Sequence, residues 1–279
     1  MKILITGSNG MLGHDLSEAL SDNHELLLTT SKTLDITDER QVMDAICNEK
    51  PDIVINSAAY TNVDGCEENP DLAYDVNGKG VENLALACRK IDCALVHIST
   101  DYVFDGSATQ PIPEDGEIGP ISVYGKSKLK GEEAILEILD KYFIVRTAWL
   151  YGINGGNFPK TMLELAKDHS ELTVVYDEVG TPTYTSDLAD AIAELIETDY
   201  YGIYHLTNSG SCSWCEFSRY IFEIAGVDVK VIPVTAAEFA RPAPRPSYSV
   251  LENRNWIEHG FKPLRNYKEA IKEYIELIR

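Results

Sequence analysis

Tyr124 and Lys128, four residues apart in the stretch VYGKSKLKGE, form the pair in this sequence best suited to acid–base chemistry. On a helix, positions i and i+4 share a face about 6 Å apart along the axis, so both side chains can enter one cleft. An ammonium roughly 4 to 6 Å from a phenol, at an effective dielectric near 20, favours the phenolate by roughly 3 to 4 kcal/mol. That is about two to three pKa units, enough to bring the phenol from about 10 towards neutrality. Such a phenol can serve as a general acid or base at cellular pH. An isolated Tyr-x-x-x-Lys is ordinarily a solvated helix start, so the assignment depends on what the rest of the chain brings beside it.

The elements that must position the pair are legible as apolar runs alternating with helical stretches. KILIT (2–6) precedes a helix through MLGHDLSEAL, with Met11, Leu12, Leu16, Ala19 and Leu20 along one face. ELLLTT (25–30), a helix over 38–48, DIVINSA (52–58), a helix through LAYDVNGKGVENLALACRK, ALVHIST (94–100), the Tyr124 helix and YFIVRTA (142–148) follow. Strands apolar throughout and separated by helices predict a parallel sheet covered on both faces, a doubly wound α/β fold. Beyond Tyr151 the chain is rich in loops, as in GINGGNFPK and EFARPAPRPSYS. The reading is therefore a dinucleotide-binding domain over 1–150 and a smaller, mainly substrate-binding lobe over 151–279, with a segment near 185–205 returning to the main sheet.

Composition narrows the partners. A net charge of −21 without a Lys/Arg cluster argues against nucleic acid and anionic membrane surfaces, so an anionic ligand needs a locally positive pocket. The opening MKILITGSNG has too short an apolar run for a leader or a span, and a cytoplasmic protein is expected. The six cysteines are scattered. The one close pair, Cys212 and Cys215, reads as buried thiols rather than a metal or redox site, and His97, inside CALVHIST, as a satisfied core residue.

TGSNGMLG places Gly7, Gly10 and Gly13 between the first strand and the first helix, in the spacing G-x-x-G-x-x-G. Gly7 suits a tight turn, Gly10 lets a pyrophosphate approach backbone N–H groups at the positive helix end, and Gly13 permits close helix-to-strand packing. The second strand should end in the residue that selects between the two nicotinamide coenzymes. Thr29, Thr30, Ser31 and Lys32 stand there. Without an acid to repel a 2′-phosphate, NADPH is acceptable, with NADH the alternative. Ligands of an open parallel sheet bind outside the strands' carboxyl ends, where SAAYTNVD, STDYVFDG and TAWLYG deliver polar groups. A hydroxyl of Ser99 or Thr100 could hold a substrate carbonyl there while Tyr124 donates its proton.

TGSNGMLG, STDYVFDG and YGKSK in this order resemble the extended short-chain dehydrogenase/reductases. LDITD, PDIVINSAAYTNVDGCE, VHISTDYVFDG, RTAWLYG, NFPKTM, VGTPT and RPSYSVL extend the similarity over nearly the whole chain, towards members that reduce a 4-keto sugar carried on dTDP. The resemblance implies that Thr100, Tyr124 and Lys128 are catalytic, that Lys128 also holds the nicotinamide ribose, and that Gly10, Met11 and Leu12 with the flanking glycines form the pyrophosphate turn. It implies that Asp35 and Ile36 lie beside the adenine, Ala59, Tyr60 and Thr61 over the cofactor ribose, and Asp101 and Trp149 in the substrate pocket. Arg245 would hold the nucleotide diphosphate. Many relatives carry Asp where Thr30 stands and Lys where Gly65 stands. Some place magnesium at a dimer interface, but no acidic cluster here matches it and no metal is expected. The implied partner is a nucleotide sugar, and the implied state a monomer or homodimer. The resemblance also admits a reductase or epimerase of another nucleotide sugar, or a regulatory subunit that holds NADP without turnover, as relatives do for methionine adenosyltransferase.

Overall fold

The computed structural model describes residues 1–279. In chain order the elements are β1 (Lys2–Thr6), α1 (Met11–Leu20), β2 (Glu25–Leu28), α2 (Glu39–Glu49), β3 (Ile53–Asn56), α3 (Val63–Glu68), α4 (Pro70–Tyr74), α5 (Gly80–Ile91), β4 (Ala94–Thr100), α6 (Val123–Ile138) and β5 (Tyr142–Thr147). They continue as β6 (Leu150–Tyr151), α7 (Phe158–Asp168), β7 (Glu171–Val175), β8 (Val179–Gly180), β9 (Thr183–Tyr184), α8 (Thr185–Leu195) and β10 (Gly202–His205). β11 (Cys212–Ser213), α9 (Trp214–Ala225), β12 (Lys230–Val234), α10 (Arg254–Glu258) and α11 (Tyr267–Ile278) complete the chain.

Six parallel strands form the main sheet in the order β10-β5-β4-β3-β1-β2, the doubly wound α/β architecture that the apolar runs predict. The strands read as continuous apolar runs because helices cover both faces. Leu12, Leu16 and Leu20 of α1 pack with Leu188 and Ile192 of α8 on one face. Val42 and Ile46 of α2, Val81 and Leu84 of α5 and Ile135 of α6 pack on the other. The chain reverses direction across the sheet between β1 and β3, which opens a crevice at their carboxyl ends. Register carries Thr6, Asn56 and His97 side by side across β1, β3 and β4, and sets Thr100 opposite Thr147 of β5.

Three elements differ from their predicted form, β3 covering only Ile53–Asn56 of the expected 52–58. β2 stops at Leu28, two residues short, because Thr29 turns its hydroxyl as well as its N–H onto the Ile5 carbonyl and the chain then enters the Thr30–Thr33 turn. The long helix over 72–90 is interrupted by a π-helical turn at Asp75–Lys79. The widened turn buries Asn77, whose amide pairs with the Tyr60 backbone and the Ser127 hydroxyl.

Residues beyond Tyr151 build a second core from α7, α9 and α11, with Met162, Phe217, Ile221, Ile271 and Tyr274 buried. β12 and β7 pair in parallel at its edge. The chain re-enters the main layer twice, through α8 and β10 and again through α10, whose Trp256 joins the main core.

Candidate active site

The carboxyl ends of β1, β3, β4 and β5 gather the residues singled out from the sequence. Gly7 adopts a left-handed φ of +65°, and a Cβ there would lie 2.8 Å from the Ala58 backbone nitrogen, so the β1–α1 turn requires glycine. Gly10 is the N-cap residue of α1, and Gly13 is buried within the helix. α1 has no side-chain cap and no acidic residue in its first turn. Its leading N–H groups and helix dipole thus suit an anion, which is the fit a coenzyme pyrophosphate requires. Met11 borders the second lobe at Gly152 and Asn157, whereas Leu12 points into the core.

Of the two residues expected beside the adenine, Asp35 is exposed and accepts from Thr37, while Ile36 is buried against Gly80. Thr29 accepts from the Ser8 N–H and so adjoins the glycine turn; no acid follows it before Asp35. Ala59, Tyr60 and Thr61 follow β3, and Tyr60 is held at both backbone polar groups by Asn77. The Tyr60 hydroxyl and the Asn62 amide fill the space that a side chain at Gly65 would take.

The catalytic candidates stand on β4 and α6. Helix α6 begins under two caps: the Ser122 hydroxyl accepts from Gly125 N at 3.1 Å, and Glu67 of α3 accepts from Val123 N at 2.8 Å. A Cβ on Gly125 would lie 2.2 Å from the Tyr102 carbonyl oxygen, so glycine lets the helix start close on the β4 turn. Tyr124 packs edge-on against Tyr102, with ring centroids 5.4 Å apart. Lower on α6, Glu132 is paired with Arg146 of β5 at 2.7 Å, both buried, and also accepts a short bond from Ser99. That pairing occupies the Ser99 hydroxyl on one side of the sheet, and Thr100 faces the other, since alternate β4 residues face opposite sides. Ser99 is spent on Glu132, whereas Thr100 is the hydroxyl whose proximity partly offsets the rise that burial imposes on the Tyr124 phenol. Thr100 Oγ1 donates to Asp101 Oδ1 at 3.0 Å and accepts from Tyr102 N at 3.2 Å.

The expected phenol–ammonium pairing is not formed in this arrangement. Lys128 Nζ donates to the Ile98 carbonyl at 2.6 Å and lies 3.2 Å from His97 Nε2, so it is turned from Tyr124. Burial pushes the Tyr124 phenol up, not down, with Thr100 partly opposing that. Burial also brings Lys128 down to about 8 and holds the His97 imidazole well below its ordinary value. Asp101, buried with Oδ2 unpaired, is pushed up to about 6 by desolvation.

Two substrate-side candidates are engaged within the protein. Arg245 forks onto Asp64 with two bonds of 3.1 and 3.0 Å, and the hydrogen bonds from Arg245 hold the Asp64 carboxyl below the usual range. Trp149 takes a φ of +48° and stacks on Trp214 at 3.4 Å. Cys212 and Cys215 are buried free thiols, with Cys212 pushed up to about 12 by desolvation, the opposite of an activated redox pair. No three His, Cys, Asp or Glu residues converge as a metal site, and no helix is long and apolar enough to cross a membrane.

Sequence reasoning missed Asn56, Asn77, Glu132 and Arg146, and it placed His97 in the core without its lysine. The available signal was the polar interruptions in otherwise apolar strands, IVIN, ALVHIST and YFIVRT, since a buried polar group needs a partner.

A doubly wound sheet with an anion-accepting first helix opposite a Thr–Tyr–Lys set defines a short-chain-type dinucleotide-dependent oxidoreductase. The RmlD substrate binding domain family matches residues 1–279, and the chain belongs to that family. It is 46% identical over 276 residues to the spore coat polysaccharide biosynthesis protein SpsK of Bacillus subtilis (strain 168), covering 99% of this chain and 97% of that protein. Among solved structures, a dTDP-4-dehydrorhamnose reductase of Clostridium acetobutylicum superposes with a TM-score of 0.98 at 50% identity, covering 100% of this chain and 99% of that one. The Bacillus anthracis dTDP-4-dehydrorhamnose reductase in complex with NADP gives 0.97 at 42%, covering 99% of each chain.

Proposed function

We propose that this protein reduces dTDP-4-dehydro-L-rhamnose to dTDP-L-rhamnose with NADPH. The observation that carries the reading is the placement of Thr100 at the end of β4 and of Tyr124 in the doubly capped first turn of α6, with Lys128 one turn further on and held at the Ile98 carbonyl. Gly7, Gly10, Met11, Leu12 and Gly13 would hold the coenzyme pyrophosphate, Asp35 and Ile36 the adenine end, and Ala59, Tyr60 and Thr61 the ribose side. When bound, the nicotinamide supplies the hydride for the sugar C4. Tyr124 gives its hydroxyl proton to the C4 oxygen, and Thr100 turns its own hydroxyl from Asp101 to orient that oxygen. Lys128 swings off Ile98 to the Tyr124 side, where its charge stabilises the phenolate left behind. Asp101 and Trp149 flank the sugar, and Arg245 exchanges Asp64 for the diphosphate, a geometry-matched pairing for guanidinium.

Free thiols and a net charge of −21 suit a cytoplasmic enzyme, monomeric or homodimeric, with a nucleotide-sugar substrate and no nucleic-acid partner. A steady-state assay offering NADPH and NADH with dTDP-4-dehydro-L-rhamnose tests the reading. NADPH oxidation that depends on this sugar supports it. Coenzyme binding without turnover would point to a regulatory subunit, and turnover confined to another nucleotide 4-keto sugar would reassign the substrate.

A further inference from the structure

His97 occupies the centre of a buried chain of hydrogen bonds whose polarity is set by groups that cannot be reversed. Asn56 Oδ1 receives the Thr6 hydroxyl at 2.6 Å and the Ala58 backbone N–H at 3.2 Å. Because a backbone N–H can only donate, that amide oxygen is fixed in place and Asn56 Nδ2 must face His97. Nδ2 stands 3.0 Å from His97 Nδ1, which therefore accepts. A neutral imidazole with an accepting Nδ1 carries its hydrogen on Nε2. Nε2–H then points at Lys128 Nζ, 3.2 Å away. An ammonium has three donors and no lone pair, so it would meet this N–H donor to donor. A neutral amine fits: its lone pair accepts from Nε2–H, one N–H serves the Ile98 carbonyl, and one remains free.

We propose that His97 is a positioning residue for the reaction, docking Lys128 as a neutral amine turned from Tyr124 and releasing it when the lysine takes a proton from solvent. This rests on the proposed reductase reading for its purpose but not for its geometry. Once protonated, Nζ loses the lone pair that bound His97, and the side chain is free to bring its charge to Tyr124. The other groups that bear on Lys128 do not produce this preference. Glu132 on the same helix favours the cation, but its charge is shared with Arg146 of β5. Tyr124 and the Cys66 thiol of α3 are neutral at physiological pH, and Asn77 beside α6 is uncharged. Asp101 lies beyond Thr100. Burial works in the same direction as His97, bringing Lys128 to about 8.

NMR of the ligand-free full-length protein labelled with 15N-histidine and 13C-lysine tests this without substrate. The His97 signal, assigned by its loss in His97→Gln, should report the Nε2–H tautomer at neutral pH. An Nδ1–H tautomer or an imidazolium would overturn the proposal. The isosteric Asn56→Asp supplies an acceptor to Nδ1, so it should switch His97 to Nδ1–H and raise the Lys128 titration midpoint by on the order of one pH unit. In His97→Gln, whose amide oxygen can accept from an ammonium, the midpoint should rise similarly. A midpoint unmoved in both folded variants would overturn it. Absence of turnover on the keto sugar would remove the proposed function and leave these outcomes intact.

Discussion

Two helices start at the same edge of the sheet, and they are finished in opposite ways. α6 enters under the Ser122 and Glu67 caps and is tied further along by the Glu132–Arg146 pair. α1 enters from a glycine turn with no side-chain cap and no acid in its first turn. Helix N-termini leave N–H groups without intrahelical partners, and at α6 those of Val123 and Gly125 are satisfied by side chains of the protein. Those at α1 are left to water or to a ligand anion. One end fixes the position of Tyr124, the proposed proton donor, and the other keeps its binding capacity available. The contrast separates rigidity from receptivity within a single crevice.

The comparison is broken most severely at the fixed end. Arg146→Leu leaves Glu132 buried without its counter-charge and should cost about 3 to 5 kcal/mol in urea unfolding. Adding Glu132→Gln to that variant should recover much of the loss, because the cost is the unpaired charge rather than the missing contact. Asp101→Asn acts through pH. With its folded value raised to about 6, Asp101 stays protonated in the fold over a range where the unfolded chain has ionised. Stability therefore falls as pH rises from about 4 to 6, by up to roughly 3 kcal/mol in all. Asp101→Asn should lose this dependence and be more stable than the parent at pH 7, measured by unfolding at both ends of the range. Removing one cap with Ser122→Ala should cost about 1 kcal/mol and lower turnover more than coenzyme affinity. Giving α1 the cap it lacks, with Gly10→Asp, should stabilise by only a few tenths of a kcal/mol while weakening NADPH binding by calorimetry, since the new carboxylate competes for the same N–H groups.

The legible parts of this molecule were those encoded by local spacing. Apolar runs located β1 to β5, G-x-x-G-x-x-G located the open helix, and Tyr124 with Lys128 fell on one helix. What could not be read was set by register between distant strands. Asn56 and His97 are 41 residues apart and become neighbours only once β3 pairs with β4. The position of Lys128 is tied to that pairing through His97, so the helical spacing indicated a shared face for Tyr124 and Lys128 but not their separation in this state. The π-helical turn that inserts Asn77 between Tyr60 and Ser127 lies inside a stretch whose composition suits an unbroken helix.

The central claim is that the Tyr124 hydroxyl delivers the proton, while the open end of α1 binds the coenzyme independently of it. NADPH binding by calorimetry and single-turnover reduction of dTDP-4-dehydro-L-rhamnose, both on Tyr124→Phe, test the two parts in one protein. Affinity within about twofold of the parent, with the reduction step slowed by 10²- to 10⁴-fold, is the expected result. A reduction step at the parent's rate in that variant would contradict the account.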